Sequence, residues 1–259
     1  MGNKTIANPV KRKLVIVGGS FGGKNLVETI LRLDPKELMA EIVVIDQYNY
    51  FEFFCTHFEC FSDASKFKDS VVDYETMYKS YKSGRITFMQ GKLSNVLATE
   101  NKIEIVQGAD ETVEVNYDTL AICTGGSKVG PWFGDEETLP TIEQREEQFR
   151  EISEKIKEAN SILCVGGGPN GLELAGWLRD TYQDKKISVI QRGKELLPSL
   201  RGAHAQTMGI MKSKNIDILL GQSFEPDSDL ASQYDVHLDC RNTFYTGPAK
   251  YMKSEELAQ

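Results

Sequence analysis

The stretch LCVGGGPNGLEL, from Leu163 to Leu174, is an apolar run that enters a glycine-rich turn and continues as an amphipathic segment. Its glycines follow the spacing G-x-G-x-x-G. Between a strand and a helix, glycines at this spacing permit a tight turn, a close approach of the backbone to a pyrophosphate, and contact between helix and strand. The N-terminus of the helix then offers free N–H groups to the phosphates. The residues expected to hold a dinucleotide here are Gly166, Gly168, Pro169, Asn170 and Gly171.

A second glycine loop lies earlier in the chain, in VIVGGSFGG at residues 15–23. Ser20 occupies the position of the middle glycine, where its Cβ would crowd a pyrophosphate, although its hydroxyl could donate a hydrogen bond to a phosphate oxygen. Asp46 lies roughly 20 residues after the last glycine, where an acid that binds a ribose is expected. Two interpretations remain open, a second nucleotide site and a fold that has lost its nucleotide. The residues expected to form this site are Gly18, Ser20, Phe21, Gly22, Gly23 and Asp46.

Gln191 and Arg192 stand where the second unit would carry the corresponding acid, roughly 20 residues after Gly171. An acid at this position would bind the ribose 2′-hydroxyl of NADH and repel the 2′-phosphate of NADPH. Glutamine removes that repulsion, and arginine offers a cation. The pair therefore permits NADPH to bind and favours its binding more than an acid at this position would. The alternative is a surface arginine that points at water.

Apolar runs before each loop and after each following helix predict two βαβ units with buried parallel strands. Between residues 85 and 116, short β-type runs broken by Gly91, Asn101 and Gly108 predict one further strand and then a small antiparallel meander. The stretch YDTLAICTGG at residues 117–126 predicts another buried strand that ends in a Thr-Gly-Gly turn. The fold class is therefore α/β.

A capping box at Thr141 and Gln144 predicts the start of a helix. Apolar residues then recur every three or four positions, while charged and amide side chains fill the other face. We expect that charged face to be solvated and to need no partner. The apolar stripe consists of Ile142, Phe149, Ile152 and Ile156.

The composition excludes several classes of protein. The 259 residues carry 30 Lys and Arg against 38 Asp and Glu, and this net charge of -8 argues against a nucleic-acid partner. No apolar run is long enough for a transmembrane span. The five cysteines, scattered and odd in number, are typical of a reducing compartment. We therefore expect a cytoplasmic protein, although the basic N-terminal residues leave a mitochondrial presequence open.

Two such units in one chain resemble the two-dinucleotide-fold flavoproteins of the FAD/NAD(P)-binding pyridine nucleotide-disulfide oxidoreductase superfamily. The resemblance is greatest to the apoptosis-inducing-factor-like family with its ferroptosis suppressor branch, and more distant to type II NADH dehydrogenases. The linked motifs that carry it are VIVGGSFGG, VVIDQYNYFEF, YDTLAICTGG, ILCVGGGPNGLELAG and GKELLPSL. The resemblance implies a glutathione-reductase-type fold with two Rossmann-like units. Its implied domains are an FAD-binding-like domain with the meander at 1–140, an NAD(P)H-binding-like domain at 141–240 and a tail at 241–259.

The same resemblance implies a division of labour between the two units. The first would hold FAD, with Thr124 and Gly125 in the turn near it, and the second would hold NAD(P)H, with Glu173 beside the nicotinamide. Hydride would pass from the nicotinamide to flavin N5, and electrons would pass on to a quinone-type acceptor. The cofactors carry this chemistry, so no catalytic triad or metal is expected.

Cys55 and Cys60 have the C-x₄-C spacing of the disulfide reductases in this superfamily. The glycines before that motif and the Pro-x-Lys after it are missing, so the segment resembles the quinone-reductase branch instead. His57, His204 and His237 lack the spacing of metal ligands. We expect these histidines to be surface or hydrogen-bonded core residues.

The resemblance weakens near the C-terminal end of the sequence. Family members return to the first domain after the NAD(P)H unit and supply a Gly-Asp pair that contacts the flavin. Here VHLDCRNTF at residues 236–244 is expected to begin that return, but the following sequence departs from the family pattern. An FAD unit incomplete at this end would leave a sheet edge and apolar surface for a protein partner to cover. Two functions therefore remain open, a flavin-dependent oxidoreductase and a redox-silent structural or interaction subunit of a larger assembly.

Overall fold

The computed structural model describes residues 12–34, 40–108, 111–125, 132 and 139–241. These residues divide into two compact units. The first unit contains the described residues up to Glu52 and those between Val72 and Gly125, and the second contains Phe53–Val71 and the described residues from 132 to 241. The predicted tail lies outside the described residues except for Arg241.

The described residues form thirteen strands and six α-helices. The strands are β1 (Arg12–Val17), β2 (Ala40–Asp46), β3 (Tyr50–Glu52), β4 (Val71–Asp73), β5 (Ile86–Gln90), β6 (Lys92–Leu97), β7 (Lys102–Gln107), β8 (Glu111–Asn116), β9 (Thr119–Ile122), β10 (Ser161–Val165), β11 (Lys186–Gln191), β12 (Asp217–Leu220) and β13 (Val236–Asp239). The helices are α1 (Phe21–Leu33), α2 (His57–Cys60), α3 (Tyr74–Ser80), α4 (Ile142–Glu158), α5 (Pro169–Thr181) and α6 (Ala203–Ser213).

The first unit is built on a parallel sheet with the strand order β5-β2-β1-β9. Its central strands are rich in β-branched residues, and Val15, Ile16, Val43 and Val44 are buried. Such uninterrupted apolar strands are typical of a parallel sheet covered on both faces. Helix α1 connects β1 to β2, so the first predicted βαβ unit is confirmed.

The antiparallel meander predicted after residue 85 is also confirmed. Strand β5 joins the parallel sheet, whereas β6, β7 and β8 form a separate three-stranded antiparallel sheet. Alternate residues of the meander, such as Ile103 and Ile105, are fully buried and belong to one apolar cluster with Val15 and Val43. The meander therefore covers one face of the parallel sheet.

The second unit repeats this arrangement with the strand order β12-β11-β10-β13. Strand β13 pairs in parallel with β10, with Val165 opposite Asp239. The expectation that VHLDCRNTF begins a return to the first unit is therefore wrong, because the described part of this segment completes the second sheet. This pairing joins residues far apart in sequence. No local pattern therefore shows whether the strand joins the sheet of the first unit or that of the second. The predicted α/β class with two Rossmann-like units is confirmed.

Helix α4 begins with the predicted capping box, in which the Gln144 backbone N–H donates to Thr141 and the Gln144 side chain accepts from the Thr141 N–H. The predicted apolar stripe is confirmed, since Phe149 and Ile156 are fully buried. The expectation that the whole charged face is solvated is wrong at Arg145, which is 1% exposed. The guanidinium carbon of Arg145 lies 4.3 Å from the centre of the Phe149 ring, and its Nη1 donates to the Gln148 Oε1 at 3.1 Å, so the buried cation has both a cation–π and a hydrogen-bond partner.

Residues 53–71 pack within the second unit, although the sequence analysis assigned them to the first domain. Aromatic side chains explain the difference. The ring of Phe61 lies edge-on to that of Phe149 on α4, with centroids 5.7 Å apart, and Phe58 lies 5.4 Å from Trp177 on α5. The indole N–H of Trp177 also donates to the Ser62 hydroxyl at 2.9 Å. The segment therefore covers the helices of the second sheet.

Candidate functional site

The glycine loop of the second unit turns directly at the carboxyl end of β10. The Gly166 N–H donates to the Ile190 carbonyl at 2.8 Å, and Gly166 has a φ of +119°, which an L side chain rarely adopts. A Cβ on Gly171 would lie 2.0 Å from the Gly166 carbonyl oxygen. Glycine is therefore required at both positions for helix α5 to pack this closely against the turn.

The loop of the first unit has the same geometry at the carboxyl end of β1. The Gly18 N–H donates to the Ile45 carbonyl at 2.7 Å, and Gly18 has a φ of +99°. A Cβ on Gly23 would lie 2.0 Å from the Gly18 carbonyl oxygen, the same distance as at Gly171 in the second unit. The two loops are therefore structural equivalents despite their different sequences.

Ser20 and Gly168 occupy the middle position of the two loops and are each the N-cap of the following helix. Their φ angles, −69° and −84°, are accessible to any residue. The backbone gives no reason for glycine at this position, so Ser20 is compatible with the loop conformation that Gly168 adopts.

The first turns of helices α1 and α5 leave backbone N–H groups available to a ligand. Neither has a side-chain cap or an acidic residue in its first turn among the described residues. Helix α4 differs, because Thr141 caps it and Glu143 lies in its first turn. Uncapped N–H groups and the helix dipole together favour an anion. The helix that follows each glycine loop therefore presents a site suited to a phosphate.

The side chains predicted to bind a ribose hold equivalent positions in the two units. One carboxylate oxygen of Asp46 accepts a hydrogen bond from the Gly19 N–H at 2.7 Å, and the other accepts from the Tyr48 N–H at 3.0 Å. In the second unit the Gln191 Oε1 accepts from the Gly167 N–H at 3.1 Å. Both side chains are thus fixed against their own loop by a backbone donor.

A cavity of about 830 Å³ opens beside the loop of the second unit. It lies at the carboxyl ends of β10, β11 and β13, where the strand order reverses, and this is where open α/β sheets bind ligands. Its volume is within the range of cofactor sites. The residues that line it include Gly166, Gly168, Pro169, Gln191, Arg192 and Arg241.

Three of the predicted second-unit residues lie outside this group of cavity-lining residues. Gly171 is buried in the contact between loop and helix, and Asn170 is half-buried. Glu173 is on an exposed face of α5. The structure therefore brings Gly166, Gly168 and the Gln191–Arg192 pair together around the cavity but does not place Glu173 among its walls.

The remaining predicted residues of the first unit surround the first loop. Phe21 packs against Phe51, with ring centroids 5.3 Å apart. A Cβ on Gly22 would lie 3.4 Å from the Cys123 Cβ, and a Cβ on Gly18 would lie 2.9 Å from the Thr124 nitrogen. Gly125 follows with a φ of +71°. The turn after β9 thus lies against the loop.

Arg241 introduces a charged pair at the cavity that sequence reasoning missed. Its guanidinium donates to both carboxylate oxygens of Asp239, at 2.9 and 3.1 Å from Nε. Burial opposes ionisation of Asp239, but the hydrogen bonds from Arg241 outweigh it and lower the pKa of this carboxyl. The pair therefore remains ionised at neutral pH.

Two thiols near the glycine loops, those of Cys123 and Cys164, are neutral at pH 7. A hydrogen bond with Cys240, together with complete burial, raises the pKa of Cys164 well above its ordinary value. Burial likewise raises the pKa of Cys123. Because the thiolate is the reactive form, these cysteines are poor nucleophiles.

The two cysteines of the C-x₄-C motif lie in different environments. Cys55 is exposed and Cys60 is buried, and both are free thiols.

The three histidines make hydrogen bonds to the backbone. The His57 Nδ1 lies 3.0 Å from the Trp132 carbonyl, the His204 Nδ1 accepts from the Leu196 N–H at 3.0 Å, and the His237 Nε2 lies 2.9 Å from the Ala231 carbonyl. Within the described ranges no group of three His, Cys, Asp or Glu side chains could hold a metal ion. No helix in the same ranges is long and apolar enough to cross a membrane.

Comparison with known proteins places these features in a family. The family model for pyridine nucleotide-disulphide oxidoreductases matches residues 12–246. The chain belongs to this family. The match includes both glycine loops, and it confirms the resemblance inferred from the linked motifs.

Individual relatives are similar at low identity. Apoptosis-inducing factor homolog A of Dictyostelium discoideum is 25% identical over 228 residues, covering 85% of this chain and 52% of that protein. Ferroptosis suppressor protein 1 of Mus musculus is 22% identical over 227 residues, covering 86% of this chain and 56% of that protein. The chain thus spans about half the length of the curated relatives it matches.

A solved structure supports the fold. NDH2 from Plasmodium falciparum, determined in complex with NADH, matches with a TM-score of 0.69 and 18% identity, over 93% of this chain and 57% of that chain. At this identity the likeness establishes the arrangement of strands and helices. It leaves the ligands of this chain to be argued from its own residues.

Proposed function

We propose that the chain is an FAD-dependent NAD(P)H oxidoreductase that binds FAD in its first unit and NAD(P)H in its second. The observation that carries the proposal is the repetition of one loop geometry. In each unit a glycine with positive φ turns the chain at the end of the central strand, and a second glycine lets an uncapped helix approach it. Two such loops in one chain provide for two dinucleotides.

FAD fits the first unit because that unit retains the ribose-binding acid. Asp46 is fixed by the Gly19 and Tyr48 N–H groups. Gly18, Gly22 and Gly23 would admit the pyrophosphate to the start of α1, where the Ser20 hydroxyl could donate to it, and Thr124 and Gly125 would lie toward the flavin. Bound FAD would supply the capacity to accept two electrons as hydride and to pass them to an acceptor.

NAD(P)H fits the second unit because the cavity beside its glycine loop is lined by Arg192 and carries no acid at the ribose position. Gly166 and Gly168 would admit the pyrophosphate beside the start of α5. Gln191 replaces the acid that would repel a 2′-phosphate, and Arg192 lines the same cavity. We therefore propose that NADPH binds in preference to NADH.

The chain's own residues would bind, orient and shield the nucleotides rather than react with them. The raised pKa values of Cys123 and Cys164 favour flavin chemistry without a thiol intermediate. A quinone-type compound is the proposed acceptor, on the strength of the similarity to the ferroptosis suppressor branch. Glu173 stays a prediction for the nicotinamide end of the site.

An anaerobic visible spectrum of the purified full chain, with added FAD, tests this function. The proposal predicts a flavin band that bleaches when NADPH is added, and more slowly with NADH. A flavin band that stays unchanged with both nucleotides would contradict hydride transfer. The absence of flavin binding would instead support the second candidate, a redox-silent structural subunit.

A further inference from the structure

Tyr74, the first residue of α3, lies directly against the glycine loop of the first unit. A Cβ on Gly19 would be 2.9 Å from the Tyr74 ring. The Tyr74 hydroxyl donates to the same Asp46 oxygen that accepts from Gly19, at 3.3 Å. The side chain is 1% exposed, so water does not compete for this contact. Tyr74 thus connects the loop to the acid that is predicted to bind a ribose.

The position of this hydroxyl is fixed by the packing of its ring. The Tyr74 ring stacks on Tyr78 with centroids 5.8 Å apart and an interplanar angle of 9°, and it contacts Phe88 at 4.9 Å. The Tyr74 N–H donates to the Asn49 carbonyl at 3.0 Å. Asp73 caps the helix by accepting from the Thr76 N–H at 2.9 Å. The hydroxyl is therefore held in place before any ligand arrives.

Tyr74 retains its proton across the physiological pH range. Burial and the neighbouring Asp46 carboxylate both raise the pKa of the phenol far above its ordinary value. The hydroxyl is therefore a permanent donor to the Asp46 carboxylate.

Among the described residues of the second unit, an aliphatic side chain takes the place of this donor. At the equivalent place a Cβ on Gly167 would lie 2.7 Å from the Cδ2 of Leu196, which covers the loop but cannot form a hydrogen bond. The residue at the position of Asp46 there is the neutral Gln191, which donates through Nε2 to the Glu195 carbonyl at 3.3 Å. The hydroxyl of Tyr74 therefore lies beside the first loop, where Asp46 is a carboxylate, and the aliphatic Leu196 lies beside the second loop, where Gln191 is neutral.

We propose that Tyr74 is a positioning residue for the adenosine ribose of the dinucleotide held in the first unit. Together with the Gly19 N–H it fixes one oxygen of Asp46, so that the carboxylate is already oriented for a ribose hydroxyl. The inference rests on the proposed function, since the dinucleotide in question is FAD. It adds a residue outside the loop motif to the set that selects this ligand.

The test is a double-mutant cycle on FAD affinity in the full chain. The Kd for FAD is measured by quenching of flavin fluorescence for the wild type, Tyr74→Phe, Asp46→Asn and the double variant. At 3.3 Å this hydrogen bond is long, so we assign it the net value of an ordinary hydrogen bond, whose loss corresponds to a rise in Kd of roughly fivefold. We expect Tyr74→Phe to show this rise in the presence of Asp46 and to have almost no further effect in the Asp46→Asn background.

Two other tyrosines of the same region provide matched controls. The Tyr78 hydroxyl has no hydrogen-bond partner within the described residues, and the Tyr81 hydroxyl donates to Glu28 at 2.9 Å. Tyr78→Phe and Tyr81→Phe should leave the Kd for FAD within twofold of the wild type. Tyr74→Phe keeps the ring against Tyr78 and Phe88, so the fold should survive, and the urea midpoint of each variant without FAD verifies this.

The outcomes separate the inference from the proposed function. A wild-type chain that binds no FAD would overturn both. A wild type that binds FAD while Tyr74→Phe binds it equally well would overturn the inference alone. The same holds if Tyr74→Phe weakens binding equally with and without Asp46, because the hydroxyl would then act on the stability of the fold and not through the carboxylate.

Discussion

Gly171 and Gly176 lie in the same helix, α5, and we expect opposite results when each is replaced by alanine. At Gly171 an added Cβ would lie 2.0 Å from the Gly166 carbonyl oxygen, whereas at Gly176 nothing lies within 4 Å. Ordinary contacts of this kind are about 3.4 Å, so Gly171→Ala must move helix and loop apart by more than 1 Å, roughly the overpacking that costs about 1–3 kcal/mol. Gly176→Ala should instead stabilise the helix by about 0.5–1 kcal/mol.

Thermal unfolding and NADPH titration of both variants measure these effects. In a chain of this size 1 kcal/mol shifts the unfolding temperature by roughly 2–4 °C, so Gly171→Ala should unfold several degrees below the wild type. Because the displaced loop can no longer admit a pyrophosphate, its affinity for NADPH should fall by at least about tenfold. Gly176→Ala should bind NADPH normally. Normal NADPH binding by Gly171→Ala would refute the reasoning, and so would an equal loss in Gly176→Ala.

Three further predictions concern the first loop, nicotinamide selection and pH. Gly23→Ala should release FAD during gel filtration while NADPH titrates normally, because its Cβ would meet the Gly18 carbonyl oxygen at 2.0 Å; loss of both ligands would mean general unfolding. Arg192→Ala should raise the Kd for NADPH roughly tenfold and leave that for NADH unchanged, with the exposed neighbour Lys194→Ala as control; an equal effect on both nucleotides would contradict a 2′-phosphate contact. Backbone hydrogen bonds from Asn160 and Ser161 lower the pKa of Asp235 below its ordinary 3.8, so its stabilising effect is present above that pH and is lost as the pH falls through the lowered value. The difference in urea midpoint between the wild type and Asp235→Asn should therefore narrow below about pH 4, and a constant difference would count against the assignment.

Much of the fold was predictable because the glycine positions report local geometry. The positive φ of Gly166 and the contact of Gly171 with its carbonyl are properties of one strand–turn–helix, so the spacing of glycines in the sequence is sufficient to indicate them. The capping box at Thr141 is equally local. These elements require no knowledge of distant parts of the chain.

The contacts that sequence reasoning missed join residues far apart in the chain. The Tyr74 hydroxyl meets Asp46 across 28 residues, and Trp177 meets Ser62 across 115. Strand β13 has an ordinary apolar pattern that fits either sheet, and its pairing with β10 is decided by tertiary packing. No local pattern carries this information.

The central claim is that the two equivalent loops hold two different nucleotides at the same time. Calorimetric titration of NADPH into the FAD-loaded full chain, with the flavin content measured before and after, tests it most directly. We predict that one NADPH binds per chain while one FAD stays bound. Displacement of FAD by NADPH, or no binding of NADPH to the loaded chain, would contradict it.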